Sequence, residues 1–139
     1  MTRGDLPVAE FAFPGELRDQ LVAAILKGEK TSTTGLYAEY QEEGGSIPEP
    51  GTQQLVVDSE GRGVAVIEIT ECRVVPVGEI DLHFAREEGE GFRSVADWRA
   101  AHERFWASYR DDSIDDDTLV VAERFRLVER LDPVPESDF

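Results

Sequence analysis

One long run of strand-forming residues, 63–75, most constrains what this chain can fold into. It reads Gly-Val-Ala-Val-Ile-Glu-Ile-Thr-Glu-Cys-Arg-Val-Val and ends at Pro76. Its many branched side chains favour a β-strand. The segment 58–61, Asp-Ser-Glu-Gly, predicts a hairpin turn that joins this run to a shorter strand at 54–57. So long a strand usually bends or crosses between two sheets, as β-barrels require.

Two segments predict helices that could cover the sheet. Residues 14–27 begin with a proline, which suits the first turn of a helix, and a leucine stripe follows before Gly28 ends the pattern. A second helix begins near Ser94, which is spaced from Asp97 as a helix-capping residue. Its apolar and aromatic residues then fall on one face: Val95, Trp98, His102, Phe105, Trp106 and Tyr109. We interpret His102 as a core histidine rather than a ligand.

The last predicted strand, 119–128, places a carboxylate among apolar side chains. Alternation puts Glu123 on the same face as Val121 and Phe125. Burying an unpaired carboxylate costs several kcal/mol, so Glu123 needs a cation or hydrogen-bond donors. A structural ion pair and a catalytic role both fit this position.

The region between the first helix and the hairpin has no clear periodicity. Residues 33–40 mix strand formers with helix formers and receive no assignment. Residues 41–51 contain glycines, prolines and glutamates and are predicted to form a loop.

Length and composition indicate a single domain. A chain of 139 residues with 40% hydrophobic content can bury a core without disulfides, and Cys72 is its single cysteine. We predict a lead at 1–10, one domain at 11–130 and an acidic flexible tail at 131–139. The N-terminus lacks the apolar stretch of a signal peptide, and no run approaches transmembrane length. The expected location is cytoplasmic without membrane contact, and the sequence carries no indication of oligomeric state.

The charge balance restricts the partners of the chain. Acidic residues number 30 and basic residues 14, which gives a formal net charge of −16. Such a charge opposes non-specific binding to phosphate backbones and anionic membranes, so any contact with nucleic acid must be local. No Cys or His spacing resembles a zinc site, and no phosphate-binding loop or nucleophile elbow is present. We therefore predict neither a metal nor a cofactor.

The segment 26–36, Leu-Lys-Gly-Glu-Lys-Thr-Ser-Thr-Thr-Gly-Leu, is the first candidate site. It follows a predicted helix, and loops held by structure on both sides often carry function. Lys30, one of two lysines in the chain, is followed by three threonines and a serine. A cation beside hydroxyls can hold an electron-rich group or activate a nucleophile. The alternative is a polar turn with a solvent-exposed lysine.

The segment 85–91, Ala-Arg-Glu-Glu-Gly-Glu-Gly, is the second candidate site. It places three carboxylates among two glycines on a loop or a helix end. The alternative is a solvated acidic loop.

In chain order these motifs resemble the ASCH family, a group of PUA-like β-barrels linked to RNA. The segment 28–33, Gly-Glu-Lys-Thr-Ser-Thr, fits the family signature G-x-K-x-x-T. Matching features cover residues 11–128 in the family's order. They include 65–71 running to Val75-Pro76, 84–85 with 88–91, Ser94, Trp98-Arg99, His102 and 121–125. The resemblance implies an α+β domain built as a PUA-like mixed β-barrel with flanking helices.

The resemblance also implies an activity. Some small members of the family resemble amidohydrolases that remove the acyl group from N4-acetylcytidine, using a lysine, a threonine three residues on and a glutamate on a later loop. These map to Lys30, Thr33 and Glu88 as catalytic residues. Another member resembles a metal-dependent ribonuclease. Further contacts to the substrate are expected from Gly28, Thr31, Ser32, Tyr37, Glu90, Arg99 and Glu123.

We therefore expect a cleft that binds a nucleobase, nucleoside or RNA and hydrolyses an amide of the N4-acylcytidine type. In this hydrolase a neutral Lys30 could accept the proton of Thr33. A charged Lys30 would instead hold an oxyanion while a glutamate moved the proton. The alternative function is a non-enzymatic RNA-binding module, or a metal-dependent ribonuclease on single-stranded RNA. For that alternative, five arginines could supply a basic strip: Arg86, Arg93, Arg99, Arg124 and Arg126.

Overall fold

The computed structural model describes residues 6–131. The predicted tail, 131–139, therefore lies outside the described residues except for Leu131. The elements in chain order are β1 (Val8–Ala9), α1 (Glu16–Leu26), β2 (Ser32–Leu36), α2 (Tyr37–Glu42), β3 (Gln53–Val57), β4 (Gly63–Pro76), α3 (Leu82–Glu87), α4 (Val95–Ala107) and β5 (Leu119–Arg130).

The predicted long strand is confirmed as β4, which lies at the centre of the sheet. The strand order is β1-β3-β4-β5-β2, with β1 parallel to β3 and the other neighbours antiparallel. β4 pairs with β3 over its first half and with β5 from Ala65 to Pro76. Its register against β5 shifts between Val66 and Ile67 and again between Ile69 and Glu71. Such bulges bend a strand and increase its twist.

The fold is α+β as predicted, but the β-barrel is not confirmed. The described strands form an open sheet with β1 and β2 at its edges. Closing the sheet would require β1 to pair with β2, and β1 offers only two residues.

Three local expectations change in the structure. Part of the predicted lead forms β1, and Leu55 on β3 donates its amide to the carbonyl of Pro7 at 2.8 Å. The first helix begins at Glu16, two residues later than predicted, after Gly15 at φ 143°. The unassigned segment 33–40 splits between β2 and α2.

Hydrophobic clusters cover both faces of the sheet. One contains Phe11 and residues of α1 against β3, β4 and Phe125. The other contains Phe84, Trp98 and Trp106 from α3 and α4 against β5. Because both faces are covered, consecutive residues of β5 from Val120 to Glu123 are all buried.

α4 begins as predicted. The Ser94 side chain accepts a hydrogen bond from the Asp97 amide at 3.0 Å, which caps the helix. Trp98, His102 and Trp106 are buried along the predicted face. Tyr109 lies beyond the end of the helix and is exposed, in edge contact with the rings of Phe13 and Phe105.

The two candidate segments of the sequence pack directly on each other. The Thr31 amide donates to the carbonyl of Glu87 at 2.7 Å. Gly89 has φ 76°, and a Cβ at this position would lie 2.7 Å from the carbonyl oxygen of Glu29 and 2.8 Å from the Cα of Lys30. Only glycine fits both the backbone angle and the close approach. This contact brings the acidic segment onto the lysine segment.

Within residues 6–131, no helix combines the length and apolar character needed to span a bilayer.

The close approach at Gly89 predicts a difference between two neighbouring glycines. Gly91 has a similar φ of 80°, but a Cβ there would meet no atom within 4 Å. We expect Gly91→Ala to lower the free energy of unfolding by about 1 kcal/mol through backbone strain alone. Gly89→Ala should lower it by about 3 kcal/mol, because overpacking adds to the strain. Urea unfolding of both variants measures the difference, and equal losses would contradict the packing role of Gly89.

Candidate functional site

The two candidate segments, β5 and α2 meet around one cavity of about 840 Å³. This volume lies within the usual range for small-molecule sites. The cavity wall contains five of the residues selected from the sequence: Lys30, Thr33, Glu88, Glu90 and Glu123.

Lys30 is a buried cation in this wall. It follows the end of α1, where its amide bonds back to the carbonyl of Ala24, and its side chain points inward with 2% exposure. Its ammonium donates to the carbonyls of Ser32 at 2.7 Å and Glu88 at 3.3 Å, and it lies 3.7 Å from Glu88 Oε1. The ring of Phe11 lies 5.8 Å away on another side. The alternative of a solvent-exposed lysine in a polar turn is therefore wrong.

Glu88 is the buried partner of this cation, with 1% exposure at the end of α3. Its Oε2 accepts hydrogen bonds from Thr34 Oγ1 at 2.8 Å and from Trp98 Nε1 at 2.7 Å. Its Oε1 lies 3.2 Å from His102 Nε2. Burial alone would raise the pKa of Glu88, but Lys30, His102 and these hydrogen bonds outweigh it and lower the pKa to about 2. Glu88 is thus a fixed anion with both oxygens occupied.

His102 lies in the core as predicted, but it is also part of the cavity wall. Its ring stacks on Trp98 with centroids 4.3 Å apart. Nδ1 lies 2.9 Å from the carbonyl of Trp98, and Nε2 faces Glu88, so both nitrogens meet acceptors. Burial would lower the pKa of His102, whereas the charge and hydrogen bond of Glu88 raise it, and the net direction is upward. The imidazolium form, which donates from both nitrogens, therefore suits this position.

Glu123 is a second buried carboxyl in the cavity, with 5% exposure. It lies on β5 directly opposite Thr33 on β2, so the two side chains share one face of the strand pair. The Tyr40 hydroxyl donates to Glu123 Oε2 at 2.5 Å. Burial raises the pKa of Glu123, and the Tyr40 hydrogen bond and the Lys30 charge only partly oppose this rise. Across residues 6–131 no ion-pair contact joins Glu123 to a lysine or arginine, so of the two partners expected, a cation or hydrogen-bond donors, the structure shows a donor, the Tyr40 hydroxyl.

Five of the predicted substrate contacts lie away from the cavity wall. Ser32 points toward the core and donates to the carbonyl of Phe84 at 3.1 Å. Arg99 bonds Glu103 and Asp116 on the outer side of α4. Of the remaining three, Gly28 lies in a turn, Thr31 contacts Glu87, and Tyr37 begins α2.

Sequence reasoning missed four polar partners in the site: Thr34, Tyr40, Trp98 and His102 as a partner of Glu88. A usable signal existed for one pair. Trp98 and His102 are four residues apart on one helix and can therefore address a single group. Tyr40 gave no signal, because the segment that carries it has no clear periodicity.

Among residues 6–131, no group of three or more His, Cys, Asp or Glu side chains is arranged to hold a metal ion.

Comparison with known proteins identifies the family. The family model of the ASCH domain matches residues 9–129. The structure is similar to an ASCH domain from Lactobacillus crispatus JV V101, with 28% identity, a TM-score of 0.78, and coverage of 88% of this chain and 79% of that chain. It is also similar in fold to a protein from Enterococcus faecalis V583, with 24% identity, a TM-score of 0.78, and coverage of 89% and 77%. No match is found among curated proteins. The resemblance read from the sequence motifs is confirmed, and the chain belongs to the ASCH domain family.

Proposed function

We propose that this protein binds a nucleoside in the cavity and hydrolyses an amide of the N4-acylcytidine type. The observation that carries the proposal is the arrangement around Lys30. This buried cation pairs with the carboxyl of Glu88 and partly offsets the rise in the pKa of a second carboxyl, Glu123, and the hydroxyl-bearing Thr33 of the cavity wall lies directly opposite Glu123. The activity that the family resemblance implies requires the same three kinds of group.

Lys30 is suited to electrostatic stabilisation rather than to proton transfer. Two carbonyls accept hydrogen bonds from its ammonium, and Glu88 Oε1 lies 3.7 Å away as an ion-pair partner. A charged lysine suits these neighbours, and its third N–H is left for a ligand. A fixed positive charge in a water-poor wall stabilises the oxyanion that forms when a carbonyl is attacked. Of the two roles considered for Lys30, the geometry supports the charged one.

Thr33 and Glu123 are suited to act as nucleophile and base. A threonine hydroxyl needs an adjacent base, since it is a weak nucleophile at its free pKa. Their opposed positions place both side chains on the same face, and Tyr40 occupies only one oxygen of Glu123. Glu88 is a poor candidate for this step, because hydrogen bonds already occupy both of its oxygens. We therefore assign proton transfer to Glu123 and positioning of Lys30 to Glu88.

The reaction can be written with these groups alone and one water. Thr33 Oγ1 bonds to the acyl carbon while the bond from that carbon to N4 breaks. The hydroxyl proton passes to Glu123 and then to N4, so cytidine leaves with its amino group restored. Water then adds to the acyl-threonine ester, the ester bond breaks, and a proton of the water returns to Thr33. The products are cytidine and a carboxylic acid.

The charges of the cavity favour a neutral ligand over a phosphate chain. Its wall contains three cationic side chains, Lys30, Arg18 and His102, and all three are buried with internal acceptors. None of them is exposed at the surface, where a phosphate chain would lie. Six glutamates also line the cavity: Glu10, Glu39, Glu43, Glu88, Glu90 and Glu123. Carboxylates repel phosphates and accept hydrogen bonds from the exocyclic nitrogen of cytosine.

The alternative of an RNA-binding module has no specific observation in its favour. Arg99, Arg124 and Arg126 each form ion pairs with neighbouring carboxylates, and Arg86 and Arg93 are exposed. None of the five lies in the cavity wall.

The nucleophile is tested by substitution of Thr33. We expect Thr33→Val to reduce hydrolysis of N4-acetylcytidine to below about one hundredth of the wild-type rate, because the hydroxyl is lost while the shape is kept. Thr33→Ser should retain measurable activity. Thr31→Val is the matched control, since Thr31 lies outside the cavity wall. Release of cytidine measures the rate, and normal turnover by Thr33→Val would refute the assignment.

The proposed role of Glu123 as the proton acceptor is tested by the pH dependence of kcat/KM. Because Glu123 acts as the ionised base, kcat/KM should be low below its pKa and rise as the pH passes through it, at higher pH than for an ordinary glutamate. Tyr40→Phe removes a hydrogen bond that lowers this pKa, so the rise should move to higher pH. Glu123→Gln should lose the rise together with most of the activity. An unchanged pH profile in Tyr40→Phe would show that Glu123 is not the proton acceptor.

The ion pair between Lys30 and Glu88 is tested by measurements of stability. Removing the charge of one partner leaves the other as an uncompensated buried charge. We expect Lys30→Met and Glu88→Gln to lower the free energy of unfolding by about 3–5 kcal/mol each. The double variant should lose less than the sum of the two. Denaturant unfolding measures all three, and strict additivity would show that the two side chains do not interact.

A further inference from the structure

Glu90 is the cavity carboxyl that the proposed chemistry does not use. It lies between Gly89 and Gly91 just beyond the buried Lys30–Glu88 pair, and it contributes to the cavity wall. Its side chain is exposed to solvent. No hydrogen bond or ion pair engages it within the described part of the chain, which makes it available to a ligand.

The other carboxyls near the reaction centre already have partners or a proposed role. Glu88 accepts from three side chains and Glu39 from Tyr109, while Glu123 accepts from Tyr40 and is assigned to proton transfer. A nucleobase that enters the cavity must therefore form its hydrogen bonds with a side chain that has no other partner. Glu90 lies close enough to Lys30, Glu88 and His102 to interact with their charges, so it borders the reaction centre rather than the outer rim.

We infer that Glu90 recognises the cytosine ring as a neutral carboxyl, donating its proton to ring N3 and accepting the hydrogen bond of N4–H. This inference rests on the proposed function and identifies the edge of the cytosine ring that Glu90 recognises. N3 is an acceptor and N4–H a donor, and N4-acylation leaves one hydrogen on that nitrogen. An ionised carboxylate could accept from N4–H but would face N3 without a proton.

The surroundings of Glu90 favour the neutral form. Neighbouring atoms of the cavity wall partly desolvate the Glu90 carboxyl and raise its pKa, and the charge of Glu88 raises it further, while Lys30 and His102 oppose the rise without cancelling it. The proton of the neutral carboxyl is then shared with N3, and above the pKa of Glu90 this proton must be taken up on binding. Binding should therefore be linked to pH through this one carboxyl.

Cytidine is the appropriate probe, because it carries the same edge and has no acyl group to lose. Titration calorimetry from about pH 5 to about pH 9 should show wild-type affinity falling by about tenfold per pH unit above the pKa of Glu90. Calorimetry in two buffers with different ionisation enthalpies should show uptake of a proton in that range. Glutamine reproduces the donor and acceptor of a neutral carboxyl, so Glu90→Gln should bind cytidine with little dependence on pH.

Two further variants complete the test. Glu90→Ala should bind cytidine about 10- to 100-fold more weakly at low pH, because a bidentate contact is lost. Glu79→Gln is the matched control, since Glu79 is an exposed glutamate outside the cavity wall and this variant should behave like the wild type. A wild-type pH slope in Glu90→Gln, or wild-type affinity in Glu90→Ala, would overturn the inference.

Turnover of N4-acetylcytidine separates this inference from the function on which it rests. If the wild type hydrolyses that compound while Glu90→Ala binds cytidine normally, only the recognition role fails. If the wild type neither binds cytidine nor hydrolyses the acyl compound at any pH, both fail.

Discussion

The ion pair between Lys30 and Glu88 is the interaction on which the rest of the site depends. Removing two charges from water is expensive, and their mutual attraction compensates only when the remaining donors and acceptors are also satisfied. Here the compensation comes from Thr34 on β2 and from Trp98 and His102 on α4. The pair therefore joins the edge strand, the end of α3 and α4, so that the packing of these elements also positions the charges.

The sequence predicted the elements of this arrangement better than their contacts. The long strand and the Ser94 cap have strong local signals, because branched residues and capping side chains act within a few positions. Lys30 and Glu88 could be selected as polar residues in unusual segments, but their meeting depends on Gly89, whose role is visible only when the backbone of the other segment lies against it. The pairing of Tyr40 with Glu123 joins residues 83 positions apart, and no periodicity marked the short helix that carries Tyr40. The open sheet was also beyond prediction, since a two-residue strand has no pattern to detect.

Two buried carboxyls near the same lysine have opposite properties. Glu88 has a lowered pKa because four polar groups surround its oxygens, whereas Glu123 has a raised pKa because burial exceeds the help it receives from Tyr40 and Lys30. Paired carboxyls whose environments separate their pKa values are typical of sites that divide acid–base work. In the hydrolysis that we propose, the anion that stays ionised positions the cation, and the carboxyl that can exchange a proton performs the transfer. This division explains why Glu88 need not itself be the base even though its segment matches the family motif.

The burial of the cations also reconciles an acidic protein with a family linked to RNA. A lysine or arginine contributes to phosphate binding only when its head group is exposed, because the gain comes from neutralising the backbone and releasing counterions. Lys30 and Arg18 are buried and internally bonded, and the chain carries a formal net charge of −16. In the function that we propose, recognition then comes from the base itself, through hydrogen bonds and contact with the cavity wall that includes Phe11 and Trp106. A free nucleoside carries no phosphate and meets this requirement without electrostatic repulsion from the cavity glutamates. A nucleotide within an RNA strand would have to unstack from its neighbours, and the phosphates on either side of it would be repelled by those glutamates.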